Sequence, residues 1–353
     1  MKANTKSSIK KDGHAVRAWL FVLCVLIFAM IIVGGATRLT DSGLSITEWK
    51  PLLGIIPPLG ETAWAEAFVK YRQIPEYQLI NKGMSLGEFK TIYWWEWAHR
   101  FLGRMIGFAF LLPFLFFWAT GRISKRLWPK LLLMFVLGGL QGALGWYMVM
   151  SGLVDRVDVS QYRLAAHLCA AVLIFGYILW VAIRLQPQGR QDAAGSPGIR
   201  ESAMVLAAGL FLQIALGAFV AGLDAGEGYN TWPLMDGAFI PQGLGVMTPW
   251  HLNLFENALT VQFDHRMLAY ILVIWSLIHT VLATKRCGTG SIALGAGVLF
   301  LALLAQAALG IVTLLAHVPI GLGLAHQAVA IFVFAIALWH LNQLVPVPAP
   351  DQQ

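Results

Sequence analysis

Residues 96–119 read EWAHRFLGRMIGFAFLLPFLFFWA, and this stretch decides the fold. From Ala98 it runs apolar to Ala119, interrupted only at its start by His99, Arg100 and Arg104. About 20 such residues are what a helix needs to cross a hydrocarbon core ~30 Å thick. Seven further runs of this kind lie at approximately 16–37, 130–150, 163–184, 202–223, 265–284, 292–315 and 324–345. None shows the ten-residue alternation of a barrel strand, and a lipid-exposed backbone must satisfy its polar groups within a helix or a closed barrel. The expectation is an all-α integral membrane protein of eight transmembrane helices. Composition agrees: 58% of the 353 residues are hydrophobic and 12% charged, against about a quarter charged in soluble domains.

The formal net charge of +7 is placed for topology and not for nucleic acid. Lys2, Lys6, Lys10, Lys11 and Arg17 precede the first span; Arg122, Lys125, Arg126 and Lys130 join the second to the third; Lys285 and Arg286 follow the sixth. All fall on one side, which the positive-inside rule makes cytoplasmic, together with both termini. The long loops 38–97 and 224–264, rich in aromatics, fall on the other. The first span reads as a retained helix, since no small-residue cleavage pattern follows it. Cys24, Cys169 and Cys287 form no outer-loop pair, so neither a disulfide framework nor a thiolate metal site is indicated.

The chain repeats itself. Gly34 through Asp41-Ser42-Gly43 echoes Gly217 through Asp224-Ala225-Gly226; His99-Arg100 matches His265-Arg266; Gln141 to Gly145 matches Gln306 to Gly310; Ala166-His167 matches Ala325-His326. Four landmarks in one order favour duplication. Because each unit has an even number of spans, the copies are parallel, two four-helix bundles related by an axis along the membrane normal. The expected layout is a tail at 1–15, a first half at 16–185, a Pro- and Gly-containing linker at 186–201, a second half at 202–345 and a tail at 346–353. In the first long loop, Ser85-Leu86-Gly87-Glu88 fits a capping box, which predicts a helix starting near Leu86 and running into the second span. Gly228 to Pro233 reads as an ordered loop over the mouth of the second half.

His99, His167, His265 and His326 each fall near the start of an even-numbered span, hence at one depth. A bundle with an imidazole on each of two helices is a natural clamp for a haem iron. The alternative for each taken singly is an interfacial histidine with satisfied hydrogen bonds; four at equivalent places shift the balance, since ionisable groups at membrane depth are costly. Zinc lacks a third and fourth ligand in each half. The halves differ at one position: Glu96 stands three before His99, and Gln262 three before His265. On a helix these positions share a face, so the first half reads as the reactive site and the second as a redox relay. A plain Glu96–Arg100 ion pair is the competing reading, and the two can coexist. Arg38, Arg100 and Arg266 lie at the same level, as binders of haem propionates or as interfacial anchors. His279 and His340, each 14 residues beyond a proposed ligand, would permit a second haem across the membrane, but the first half has Pro113 and Val181 at those places. Helix-end histidines at the cytoplasmic surface are the simpler expectation.

These residues together resemble the heme A synthase family, in its proteobacterial and mitochondrial branch. The resemblance runs through Gly34 to Thr40, Glu96-Trp97-Ala98-His99-Arg100, Gln141 to Gly145, Ala166-His167, Asp264-His265-Arg266 and Ala325-His326. It implies a membrane oxidoreductase of the bacterial inner membrane that oxidises the methyl at porphyrin position 8 of haem O to the formyl group of haem A. His99 and His167 would then hold the substrate haem O, His265 and His326 a resident haem b, and Glu96 would assist catalysis. The implied partners are haem O synthase, the cytochrome oxidase assembly machinery, an electron acceptor and a second copy of the chain. The first-loop cysteine pair of some members is missing here, so a thiol-based step is not expected. Two other classes remain: a bis-histidine electron-transfer cytochrome, which needs no Glu96, and a haem transporter, which needs no stably ligated iron.

Overall fold

The computed structural model describes residues 2–50, 53–154, 156–185 and 197–346. Residues 186–196 of the expected linker and 347–353 of the expected C-terminal tail lie outside the described residues. In chain order the helices are α1 (Lys2–Leu39), α2 (Glu61–Tyr71), α3 (Pro75–Leu79), α4 (Leu86–Ala119), α5 (Trp128–Met150), α6 (Gln161–Arg184), α7 (Pro197–Gly222), α8 (Asn253–Glu256), α9 (Ala258–Cys287), α10 (Ser291–Leu315) and α11 (Ile320–Leu344). Eight of them, α1, α4, α5, α6, α7, α9, α10 and α11, are long and apolar enough to cross a bilayer. The protein is a multi-pass membrane protein. Large apolar side chains such as Leu112, Phe116, Leu140 and Leu301 stand exposed along these helices, as lipid contact requires and as water would penalise.

Helix α4 begins twelve residues before its apolar run. Its start is fixed by the capping box: Ser85 Oγ accepts from Glu88 N–H while the Glu88 carboxylate accepts from Ser85 N–H, a reciprocal arrangement that satisfies two helix-end donors. The first turns are too polar for a hydropathy count to include, yet they carry Glu96 and His99 on one continuous helix.

The chain divides into two compact units, residues 23–174 and residues 1–22 with 175–353. In the latter, α7, α9, α10 and α11 pack in a closed ring, each against two neighbours. In the former, α2 and α3 fold over the start of α4 around an aromatic cluster of Trp64, Tyr71, Tyr77, Phe89 and Tyr93, with Phe89 and Tyr71 fully buried. The ends of α1 and α7 repeat in atomic detail. Ser42 N–H donates to Thr37 O and Ala225 N–H to Val220 O, both at 2.9 Å. Before each stands an aspartate in the left-handed region, Asp41 at φ 47° and Asp224 at φ 49°. This is the Schellman closure, in which the residue past the helix takes αL geometry.

Candidate functional site

Four histidines sit in four equivalent cradles. Each ring packs on a glycine of a neighbouring helix: an ideal Cβ would meet the ring at 2.9 Å from Gly34 to His99, 2.9 Å from Gly145 to His167, 3.2 Å from Gly217 to His265 and 2.7 Å from Gly310 to His326. The glycines are required by this approach, because a methyl there would displace the imidazole. A glutamine amide holds three of the rings. Gln141 contacts His167 Nδ1 at 3.1 Å and donates to its carbonyl at 2.9 Å. Gln306 treats His326 identically, at 3.1 and 2.9 Å, and Gln213 holds His265, at 3.0 Å to Nδ1, 3.2 Å to Nε2 and 2.9 Å to the carbonyl. These contacts fix the orientation of each ring.

His99 is the exception. Counting from the matched Gly34 and Gly217, the place of Gln213 is taken by Met30, and His99 Nδ1 is buried with no hydrogen-bond partner among the described residues. The Glu-to-Gln difference was legible in the sequence; this second one was missed, although the repeat alignment contains it.

The His265 and His326 ring centroids are 6.4 Å apart. Metal–imidazole bonds of about 2 Å on either side of one ion, plus the two ring radii, place axial ligands about 6 Å apart between centres. The residues fit a single iron between them. His279 and His340 do not fit a haem. Their Nε2 atoms are 2.8 Å apart, a direct hydrogen bond with no room for an ion. Nor are they surface residues as the sequence suggested: both are fully buried, and His279 Nδ1 contacts Ser202 Oγ at 2.9 Å. Helical phase turns them inward, which their distance from the helix ends did not reveal.

The residues beside the ligands form two latches. Glu96 is 2% exposed, and donors occupy both its oxygens. Oε1 accepts from Arg100 Nε and Nη2 at 3.0 and 2.6 Å; Oε2 accepts from Ser45 Oγ and Ile46 N–H at 2.8 and 2.6 Å. Arg100 continues to the carbonyls of Ile46 and Glu48. The pair thus pins the segment after α1 onto α4. In the other unit Gln262 Oε1 accepts from Arg266 Nη2 at 2.7 Å, while Gln262 Nε2 donates to the carbonyls of Ala225 and Gly228. Arg266 reaches the carbonyls of Tyr229 and Thr231. The Gly228 to Pro233 loop is ordered by these bonds, by Asn230 donating to Leu314 O at 2.9 Å and by Trp232 Nε1 donating to Tyr270 OH at 2.8 Å. Arg38 pairs with exposed Asp41 at 3.0 Å. Of the three arginines considered for propionates, Arg100 and Arg266 have their guanidinium edges engaged in these latches.

Glu76, on α3, is a second buried carboxyl that sequence reading passed over. It is 5% exposed and hydrogen-bonded with Tyr71, and burial pushes it up to about 8. Only the folding of α3 under the aromatic cluster buries it; nothing in its local sequence signals this.

The chain matches, over residues 17–338, the COX15-CtaA family, described as cytochrome oxidase assembly protein. Among similar curated proteins, the heme A synthase of Parvibaculum lavamentivorans is 57% identical over 344 residues, covering 97% of this chain and 98% of that one. That of Chelativorans sp. is 57% identical over 330 residues, covering 93% and 91%. That of Bradyrhizobium diazoefficiens is 52% identical over 351 residues, covering 99% and 97%.

Proposed function

Since the chain belongs to the COX15-CtaA family, we propose that it is a heme A synthase, an oxidoreductase that converts the position-8 methyl of haem O to the formyl of haem A for cytochrome oxidase, acting in the bacterial inner membrane with both termini cytoplasmic. The observation that carries the reading is the pairing of near-identical imidazole cradles with unlike latches, one a carboxylate–arginine ion pair and one an amide–arginine hydrogen bond. In this reading His265 and His326, with the glutamine braces of Gln213 and Gln306, hold a resident haem b, which when bound supplies one-electron redox chemistry. His99 and His167 hold haem O. The substrate pair has one braced ring, His167, and one unbraced ring, His99, which suits a ligand that must let a product go; the resident pair has both rings braced.

Glu96 stands one turn from His99 on the same face of α4. With donors on both its oxygens, proton acceptance there requires Arg100 or the Ser45–Ile46 segment to move. Its readier role is a fixed negative charge that favours positive charge developing at the macrocycle edge, while the Glu96–Arg100 pair keeps the loop closed over the site. Haem O synthase as supplier, an electron acceptor and a second copy of the chain as partners belong to the same proposal.

The test is expression beside a haem O producer, followed by extraction and mass measurement of the bound haems. A formyl haem is expected with the unchanged chain. With Glu96→Gln it should fall at least a hundredfold, the scale of a positioned acid–base or electrostatic group, while the resident haem held by His265 and His326 is retained. Haem O recovered unchanged beside the wild-type chain would defeat the enzymatic reading and leave a cytochrome.

A further inference from the structure

We infer that the loop of residues 229–246 is a lipid-binding surface, lying in the bilayer leaflet at the N-terminal end of α9 with Phe239 and Ile240 among the acyl chains; the inference concerns this loop and stands whatever ligand the histidines carry. The loop is tied to α9 at successive turns. Leu244 O accepts from Thr260 Oγ1 at 2.7 Å and Gly228 O from Gln262 Nε2 at 2.8 Å. Tyr229 O and Thr231 O accept from Arg266 at 2.7 and 2.9 Å, and Trp232 Nε1 donates to Tyr270 OH at 2.8 Å. At 1.5 Å per residue, the stretch from Thr260 to Tyr270 is about 15 Å of helix. Helix α9 as a whole, with its 30 residues, is about 45 Å long, the thickness of a bilayer together with its headgroup layers. The loop therefore does not stand above the span. It runs beside the span's first turns, from headgroup level to the edge of the hydrocarbon.

What the loop turns outward fits that level. Met235 and Pro241 are buried and fix the segment between them; past the Met235–Ala238 bridge, Phe239 is 62% exposed and Ile240 71%. Trp232, Leu234 and Val246 are exposed as well. The apolar surface continues onto α9 at Ile274, exposed one turn beyond Tyr270 on the same face of the span. From Tyr229 to Trp250 a single residue, Asp236, is charged. The long loop of the first unit is unlike it, exposing Glu61, Glu66, Arg72 and Lys82. An apolar surface of this kind is penalised in water, and a protein-docking surface carries a polar rim. Trp and Tyr beside aliphatic side chains with almost no charge are the composition of the membrane interface. Because Gln262 and Arg266 hold the same segment, lipid contact bears on the latch beside His265.

The experiment places the photoreactive residue p-benzoylphenylalanine at position 239 and, separately, at position 240 of the full chain; both side chains are exposed, so the packing is left intact. The protein is irradiated in phosphatidylcholine nanodiscs and its mass is measured. Leu301, exposed on a span, is the lipid-facing reference, and Glu66 the water-facing one. Positions 239 and 240 should gain the mass of one phosphatidylcholine in a yield like that at 301, and position 66 should not. Labelling at 301 without labelling at 239 and 240 overturns the proposal. Irradiation in the membranes of the expressing cells separates the occupants: a phospholipid adduct supports the lipid surface, whereas the mass of two chains, or of this chain with another protein, overturns it. Amide hydrogen exchange in the nanodiscs reads the bearing on the latch. Phe239→Ser with Ile240→Ser should speed exchange over 229–234 at least about tenfold, the scale of two apolar anchors lost, with exchange in α10 unchanged. Unaltered exchange over 229–234 overturns that bearing.

Discussion

The latch of the first unit and the latch of the second use the same two helical positions with opposite polarity. Glu96 receives hydrogen bonds from Ser45 and Ile46, whereas Gln262 gives them to Ala225 and Gly228. The partner arginine, Arg100 or Arg266, pins backbone carbonyls in both. The comparison teaches that a carboxylate beside the first histidine is no isolated substitution: the loop facing it presents donors where the other loop presents acceptors. A structural latch common to both units has been kept, and in one of them it has been given a charge. Neither residue can be exchanged for the other without leaving its loop mismatched.

The largest effect on haem should come from forcing the exchange. Gln262→Glu would place a buried carboxylate oxygen against two carbonyls, with Arg266 able to compensate only the other oxygen. The loss of two donor bonds and the oxygen–oxygen contacts that replace them should cost on the order of 3 kcal/mol. The expected outcome is loss of the resident haem and a lower unfolding temperature, read from the visible spectrum of the purified protein and a thermal melt. A variant that keeps haem and melts like the wild type would break the comparison, because it would show that the loop polarity is adaptable.

A smaller, reversible effect should follow from exchanging the brace. Gln213→Met removes the amide from His265, and Met30→Gln offers one to His99 Nδ1. Partners of ligating histidines are worth about 10–100-fold in metal affinity, so haem should dissociate faster from the former variant and product more slowly from the latter. Dissociation into an excess of a haem-scavenging protein measures both. Equal rates in all three chains would show that Met30 is only packing.

Much of this was legible in the sequence because it depends on composition and on local spacing. Eight apolar runs gave the spans, the Ser85-to-Glu88 box gave the start of α4, and the order of four landmarks paired the histidines. What was not legible depends on helical phase or on contacts distant in sequence. His279 and His340 looked like helix-end residues until phase turned them towards one another. Arg100 and Arg266 looked available to a ligand until loops more than thirty residues away supplied carbonyls for them.

The smallest effect on haem, and one confined to the first unit, concerns Glu76. Its value in the folded protein, about 8, lies above the ordinary 4.5. Below the lower value both folded and unfolded chains hold the proton and the residue contributes nothing to pH dependence. Between the two, the folded state keeps a proton that the unfolded state has lost, so stability falls as pH rises, by at most ~1.4 kcal/mol per unit. Above the upper value the penalty is complete and constant. Asp41, Glu96 and Asp158 act in the same direction on the carboxyl, and the Tyr71 hydroxyl opposes them. Glu76→Gln should therefore leave haem content unchanged while flattening this dependence. Limited proteolysis of the 61–85 segment, followed from about pH 5 to about pH 9, should show the wild type cut faster with rising pH and the variant cut at a steady rate. The part of the second long loop before α9, residues 224–257, whose buried polar group Asn253 does not ionise, should show no such trend in the same digestion. A matching trend in both loops would mean that the loss of stability with rising pH belongs to the protein at large and not to the Glu76 segment.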